Sequence, residues 1–182
     1  MTREFSPSRL DVNGFAADAA TLAGADPVTT YPRLAAELAD PASAAQVVWE
    51  AQGEERAGAS GAAVPWLHLT ADAVVPLVCQ RCLTPVELPL SVQRWFRFVA
   101  DEATAEAEDD ESDEDLLVVA RDFDLRGLVE DELLMEIPLT PVHETCPVEV
   151  RLSASDADFE AGEGGKPNPF AVLGALRTRK PE

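Results

Sequence analysis

Basic residues are scarce in this chain. Its 182 residues hold 14 Lys and Arg against 34 Asp and Glu, a formal net charge of −20. Sequence-independent affinity for nucleic acid comes mostly from neutralising phosphates, so a general binder of bare RNA or DNA is excluded. Aromatics are only 6 % of the chain, and the core must rely on Leu, Val and Ala. There are three cysteines, an odd number at low density, which excludes a secreted disulfide scaffold. Two histidines leave little material for base-assisted nucleophilic catalysis. No apolar run approaches a membrane span, and the opening stretch MTREFSPSRLDVNGF has no apolar signal core. Nucleophile elbow, phosphate-cradling glycine loop and paired-histidine zinc motif are all missing. The expectation is a cytoplasmic protein with reduced thiols, no small-molecule substrate and no enzymatic activity.

What is present is a chain with 46 % hydrophobic residues, long enough for one ordinary domain. Residues 1–27 are small, polar and weakly patterned. In VTTYPRLAAELADP, Tyr31, Leu34 and Leu38 recur at helical spacing, and Asp40-Pro41 is a stop. AQVVWE (45–50) reads as a strand and 53–63 as a turn or flexible loop. Two long alternating stretches follow. Leu67, Leu69, Ala71, Ala73, Val75 and Leu77 share one face, with His68, Thr70 and Asp72 on the other. Leu88, Leu90, Val92, Phe96 and Phe98 share a face, interrupted by Arg94. Period two on both sides of a short polar turn predicts an antiparallel hairpin.

The segment 101–115 carries ten carboxylates and no base, and reads as a solvated acidic loop. LLVVA (116–120) resumes a strand. Leu125, Leu128, Val129, Leu133 and Ile137 form a helical stripe over 124–137, with Asp124 as N-cap and Pro138 as terminator. Residues 151–166 are acidic and glycine-rich, a linker. In the tail, Asn168 caps and Pro169 opens a short helix whose end is basic. The expected organisation is a single α+β domain over 1–150, with a linker and helical tail over 151–182. The expected fold is an antiparallel sheet, or a partly open β-barrel, with a packed amphipathic helix.

The predicted hairpin carries Cys79 and Cys82 at its tip, a Cys-x-x-Cys pair. A redox role needs such a pair at a helix N-terminus, where the dipole lowers a thiol pKa, and no helix follows here. Zinc prefers four thiolate or imidazole ligands, often delivered as two short pairs. His143 and Cys146 form a second pair with the same two-residue gap. Together the four make a Cys₃His candidate zinc set, although some sixty residues separate the pairs, more than in a small finger. The alternative is a structural turn, with His143 at the surface and Cys146 a core or loop thiol.

Candidate partner contacts lie in two places. Arg94, Trp95 and Arg97 alternate charge with aromatic area on one strand, where Trp95 could stack on a base and an arginine could meet phosphate. The alternative packs Trp95 under a loop or helix while the arginines snorkel. Arg177, Arg179 and Lys180 crowd the end of the tail, suited to docking on a ribonucleoprotein or to capping their own helix.

Three stretches in order, CQRCLTPVE, DLRGLVEDELLMEIPLTPVHETC and KPNPFAVLGALR, carry a resemblance. The chain resembles the bacterial YceD family, whose members are called large ribosomal RNA subunit accumulation proteins. The resemblance implies a non-enzymatic role in the synthesis, processing or stability of 23S rRNA, with a precursor of the large ribosomal subunit as partner through rRNA, ribosomal proteins or both. It supplies no catalytic residue. Some relatives carry further cysteines that this sequence lacks, though a Cys₃His site survives that difference. Two rivals stand beside this expectation: an adaptor that touches only ribosomal proteins, and a nuclease using a metal held by the acidic segment.

Overall fold

The alternating stretches do form a hairpin, and its two strands are the longest elements among the described residues. In the computed structural model, which describes residues 3–58, 61–150 and Phe170, β3 (Ala63–Val78) and β4 (Pro85–Val99) pair antiparallel from Trp66↔Arg97 to Val78↔Pro85. Leu67, Leu69, Ala71, Ala73, Val75 and Leu77 are all buried, while His68 and Thr70 are half-buried and Asp72 is exposed.

Two more strands extend the hairpin on one side. β1 (Thr21–Pro27) pairs with β2 (Gln46–Ala57), and β2 with β3, all antiparallel. On the other side β5 (Asp115–Val118) pairs with β4 in parallel. The sheet order is β1-β2-β3-β4-β5, an open mixed sheet that does not close into a barrel. The expected α+β fold with an antiparallel sheet holds for β1 to β4, and only the β5 edge is parallel. β2 also runs to Ala57, through the part of 53–63 expected to be loop, because its alternating burial continues along β3. The weakly patterned N-terminal region contributes both β1 and α1 (Val12–Ala17).

Helices cover one face of the sheet. α1, α2 (Pro32–Ala36) and α4 (Leu125–Met135) surround a core of Phe15, Tyr31, Leu34, Leu125, Val129 and Leu133 packed on the inward strand residues. Asp124 caps α4 by accepting the Gly127 N–H at 3.1 Å, as its sequence position predicts. The α2 cap comes from a distance. Its own N-cap residue, Tyr31, offers no side-chain acceptor. Instead the buried Glu130 of α4 accepts the backbone N–H groups of Arg33 at 2.6 Å and Leu34 at 3.2 Å, and pairs with the Arg33 guanidinium at 2.9 Å. One carboxylate thus satisfies donors that a five-residue helix leaves open.

The acidic segment is not an unpacked loop. Residues 102–108 form α3 (Glu102–Glu108), followed by a 3₁₀ turn to Glu111. Two physical reasons account for this. A parallel β4–β5 pair requires a crossover, usually helical. Asp101 also caps the helix by accepting the Thr104 N–H and hydroxyl, each at 2.8 Å.

The chain divides into two units, Met1–Val148 and Glu149–Glu182, and the strands and helices among the described residues belong to the first. The expected tail helix, with Arg177, Arg179 and Lys180, lies outside the described residues. Among the described residues no helix is long and apolar enough to cross a membrane.

Candidate metal centre and outer-face cleft

The hairpin tip is a tight turn over residues 79–84. The Cys79 N–H donates to the Thr84 carbonyl at 3.0 Å, and the Leu83 N–H returns to the Cys79 carbonyl at 2.9 Å. Closing this turn puts Leu83 at φ 59, in the left-handed region that a branched side chain adopts at a cost of about 1 kcal/mol. The segment after α4 runs back along the tip. There the Gln80 N–H donates to the Pro141 carbonyl at 2.8 Å, and the Arg81 guanidinium donates to the His143 carbonyl.

These ties bring the two pairs together. Ligand atoms of Cys79, Cys82, His143 and Cys146 all lie within 4.8 Å of one another. Cys82 Sγ is 3.4 Å from His143 Nδ1 and 3.2 Å from the Thr84 hydroxyl. Cys79 is fully buried and the other three are half-buried, and all three cysteines are free thiols.

The electrostatics favour thiolate at the tip. Burial pushes the Cys79 thiol up, but backbone N–H groups of Cys82, His143 and Arg81, with the His143 side chain, outweigh it and hold the group at about 5. The Thr84 hydroxyl lowers Cys82. Hydrogen bonding to Cys79 raises His143, and burial raises Cys146. N–H groups two and three residues beyond Cys79 thus converge on its sulfur, an arrangement that stabilises a thiolate ligand.

The donor set suits zinc. Bonds of about 2.0–2.3 Å in a tetrahedron imply ligand-to-ligand edges of about 3.3–3.8 Å. Donors already within 4.8 Å reach that spacing by small side-chain rotations. Four protein ligands would fill the coordination shell and leave no position for water or substrate, the pattern of a structural site. The redox alternative lacks the helix N-terminus it requires, because the pair is followed by β4.

A second constellation lies on the sheet face opposite α1, α2 and α4, beside the acidic crossover. Trp95 and His68 face each other across β3–β4 with rings stacked at 4.5 Å. Trp66 meets Trp95 edge-on at 6.3 Å. The Arg56 guanidinium sits 4.2 Å from the Trp66 ring centre and 4.0 Å from that of Trp95. The two strand arginines are engaged with carboxylates. Arg94 points to the helix side, pairing with Glu132 at 3.0 Å and Asp115 at 3.2 Å, which explains the break in the apolar face of β4. Arg97 pairs with Glu114 at 2.5 Å and Glu108 at 2.6 Å, and donates to the Ser112 hydroxyl. Sequence reasoning singled out Trp95 but missed Arg56 and Trp66. The parity of Trp66 with His68 along one strand was the available signal.

The family model described as Large ribosomal RNA subunit accumulation protein YceD matches residues 67–177, more than half of the chain. The chain belongs to the YceD family. The match runs from β3 through both Cys and His pairs into the tail, so the metal quartet and Trp95 fall inside the family region, whereas Arg56 and Trp66 fall just before it. A relative from Haemophilus influenzae, named Large ribosomal RNA subunit accumulation protein YceD, is 34 % identical over 108 residues. That alignment covers 58 % of this chain and 61 % of the relative, so the chain spans less than two thirds of that YceD protein's length. No solved structure matches the chain.

Proposed function

We propose that this chain is a non-enzymatic factor in large-subunit ribosome biogenesis, supporting the synthesis, processing or stability of 23S rRNA in the cytoplasm. The family match over residues 67–177, with the name its relative carries, is the observation that supports this reading. Its partner is a precursor of the large subunit. Zinc held by Cys79, Cys82, His143 and Cys146 serves as a clamp. It ties the hairpin tip to the 141–146 segment and performs no chemistry on a substrate.

Of the residues expected to meet RNA, Arg94 and Arg97 are paired with carboxylates and are poor phosphate ligands as they stand. Direct rRNA contact therefore falls to the basic tail residues Arg177, Arg179 and Lys180. The paired arginines and the net charge of −20 favour a second reading, in which docking runs through basic ribosomal proteins alone.

Depletion of the protein in cells tests the main reading. The expected result is a fall in 23S relative to 16S rRNA, with the protein co-sedimenting with immature large subunits. An unchanged ratio and no co-sedimentation would overturn it. Crosslinking separates the modes of docking, since crosslinks to ribosomal proteins with none to rRNA select the protein-only adaptor. Metal analysis after reducing purification tests the clamp, with about one zinc per chain expected and loss in Cys79→Ser.

A further inference from the structure

The Trp66–Trp95 pair and the acidic crossover enclose a cleft of about 450 Å³. Its walls are Arg56, Trp66, Gln93, Arg94 and Trp95 on the sheet, and Asp113, Glu114 and Asp115 on the segment that leads into β5. We propose that this cleft is a docking site for an arginine-rich segment of a protein partner. The proposal rests on the ribosome-linked reading only for where the partner is found. It adds what kind of partner it is: a cationic polypeptide rather than bare rRNA.

Three observations carry it. First, the cleft already displays the chemistry of guanidinium recognition. Arg56 lies about 4 Å from both indole rings, within the range of a favourable cation–π contact. Arg94 and Arg97 show the complementary mode, each held by carboxylates from the crossover and its flanks. Guanidinium is the group that both stacks on aromatic faces and pairs with carboxylates in a planar fork.

Second, the internal arginines do not exhaust the acids. The crossover 101–115 carries ten carboxylates, against Arg56, Arg94 and Arg97 from the sheet. Asp113, on the cleft wall, has no ion pair or hydrogen-bond partner among the described residues. Asp113 thus leaves one uncompensated negative charge beside the indoles, on the flank of an acidic crossover complementary to a cationic chain.

Third, the same surplus disfavours the other ligand that tryptophans attract. A nucleobase could stack on an indole, but its phosphates would enter the field of the unpaired Asp113 and of a chain with net charge −20. An arginine side chain meets the free carboxylate of Asp113 on one wall and competes with Arg56 for the indole faces on the other.

The test uses the purified full chain and a fluorescein-labelled dodecapeptide of alternating Arg and Gly, followed by anisotropy at 0.05 and 0.15 M NaCl. The peptide is expected to bind more weakly at the higher salt. Replacing its arginines with lysines is expected to weaken binding about threefold or more. Trp95→Ala should weaken binding about fivefold or more, and Trp95→Phe should retain most of it. Asp113→Asn, an exposed change that leaves the fold alone, should weaken binding about twofold or more, while Glu37→Gln at the C-terminal end of α2 should not. Equal affinity for the wild type, Trp95→Ala and Asp113→Asn overturns the proposal. So does a single-stranded RNA dodecamer that displaces the peptide and binds more tightly. The assay contains no ribosome, so a negative result removes the cleft and leaves the 23S reading to its own measurement.

Discussion

Removing metal from the Cys79, Cys82, His143 and Cys146 set is expected to loosen one segment and leave the sheet intact. Cys82 and His143 are 61 positions apart. A cross-link closing a loop of that length removes unfolded-chain entropy worth roughly 4 kcal/mol at 25 °C, an upper bound for a metal that also finds thiols in the open state. Without it, the 138–148 segment is tied to the tip by the Gln80–Pro141 hydrogen bond and the Arg81–His143 contact. Each such bond contributes about 1 kcal/mol, so the untied segment opens for roughly 2 kcal/mol. The loop-closure entropy counts only when the whole chain unfolds; in local opening the metal must first release His143 and Cys146, which should slow exchange of the segment by about tenfold or more. The sheet residues 67–77 and 86–98 are held by their own ladder and core, and do not depend on it. Hydrogen exchange on the full chain, with and without a chelator, reads both regions at once. Faster exchange confined to 138–148 is the expected result. A chain that carries one equivalent of zinc and exchanges identically after its removal would refute the clamp.

Other perturbations address the fold that holds the site. Glu130→Ala leaves the Leu34 and Arg33 N–H groups without an acceptor and should cost about 2–4 kcal/mol in urea unfolding; a loss below about 0.5 kcal/mol means α2 does not need its remote cap. Glu132 has a raised pKa, because its burial outweighs the attraction of Arg94. Its ionised form thus opposes folding once the pH rises through the ordinary Glu value of about 4.3 and then through its own higher one. Glu132→Gln should equal or exceed the wild type in stability at pH 7 and lose that advantage below about pH 4, and a clearly less stable variant at pH 7 would contradict this. Gly53→Ala places a Cβ 2.6 Å from the Phe15 carbonyl oxygen, where backbone must move, and should lower stability by about 1–3 kcal/mol in the same urea assay.

The parts of this protein that were legible in its sequence are those governed by local period and spacing. Period-two burial placed the β3–β4 hairpin, and 3.6-residue spacing with Asp124 placed α4. Equal two-residue gaps paired Cys79 and Cys82 with His143 and Cys146, and the fold brings all four together. What was not legible depends on partners far along the chain. The strand LLVVA carries no sign of its direction, so its parallel pairing with β4 was invisible. The acidic crossover looked self-repelling because its anchor, Arg97, lies in another element. Nothing local to Glu130 shows that it caps α2, whose open N–H groups lie 96 and 97 positions away. Arg56 was assigned to a loop, and so its place over two tryptophans was missed.

The length of the β3–β4 hairpin imposes a spacing on whatever this protein engages. Trp66 and Val78 are twelve residues apart on one continuous strand. At about 3.3 Å per residue, that sets the indole cleft roughly 40 Å from the cysteine tip. The ladder between them is continuous, so the hairpin acts as a ruler with a different chemistry at each end. A small folded partner reaches one end or the other. Simultaneous engagement needs an extended chain, two separate partners, or a surface on the scale of a ribosomal subunit.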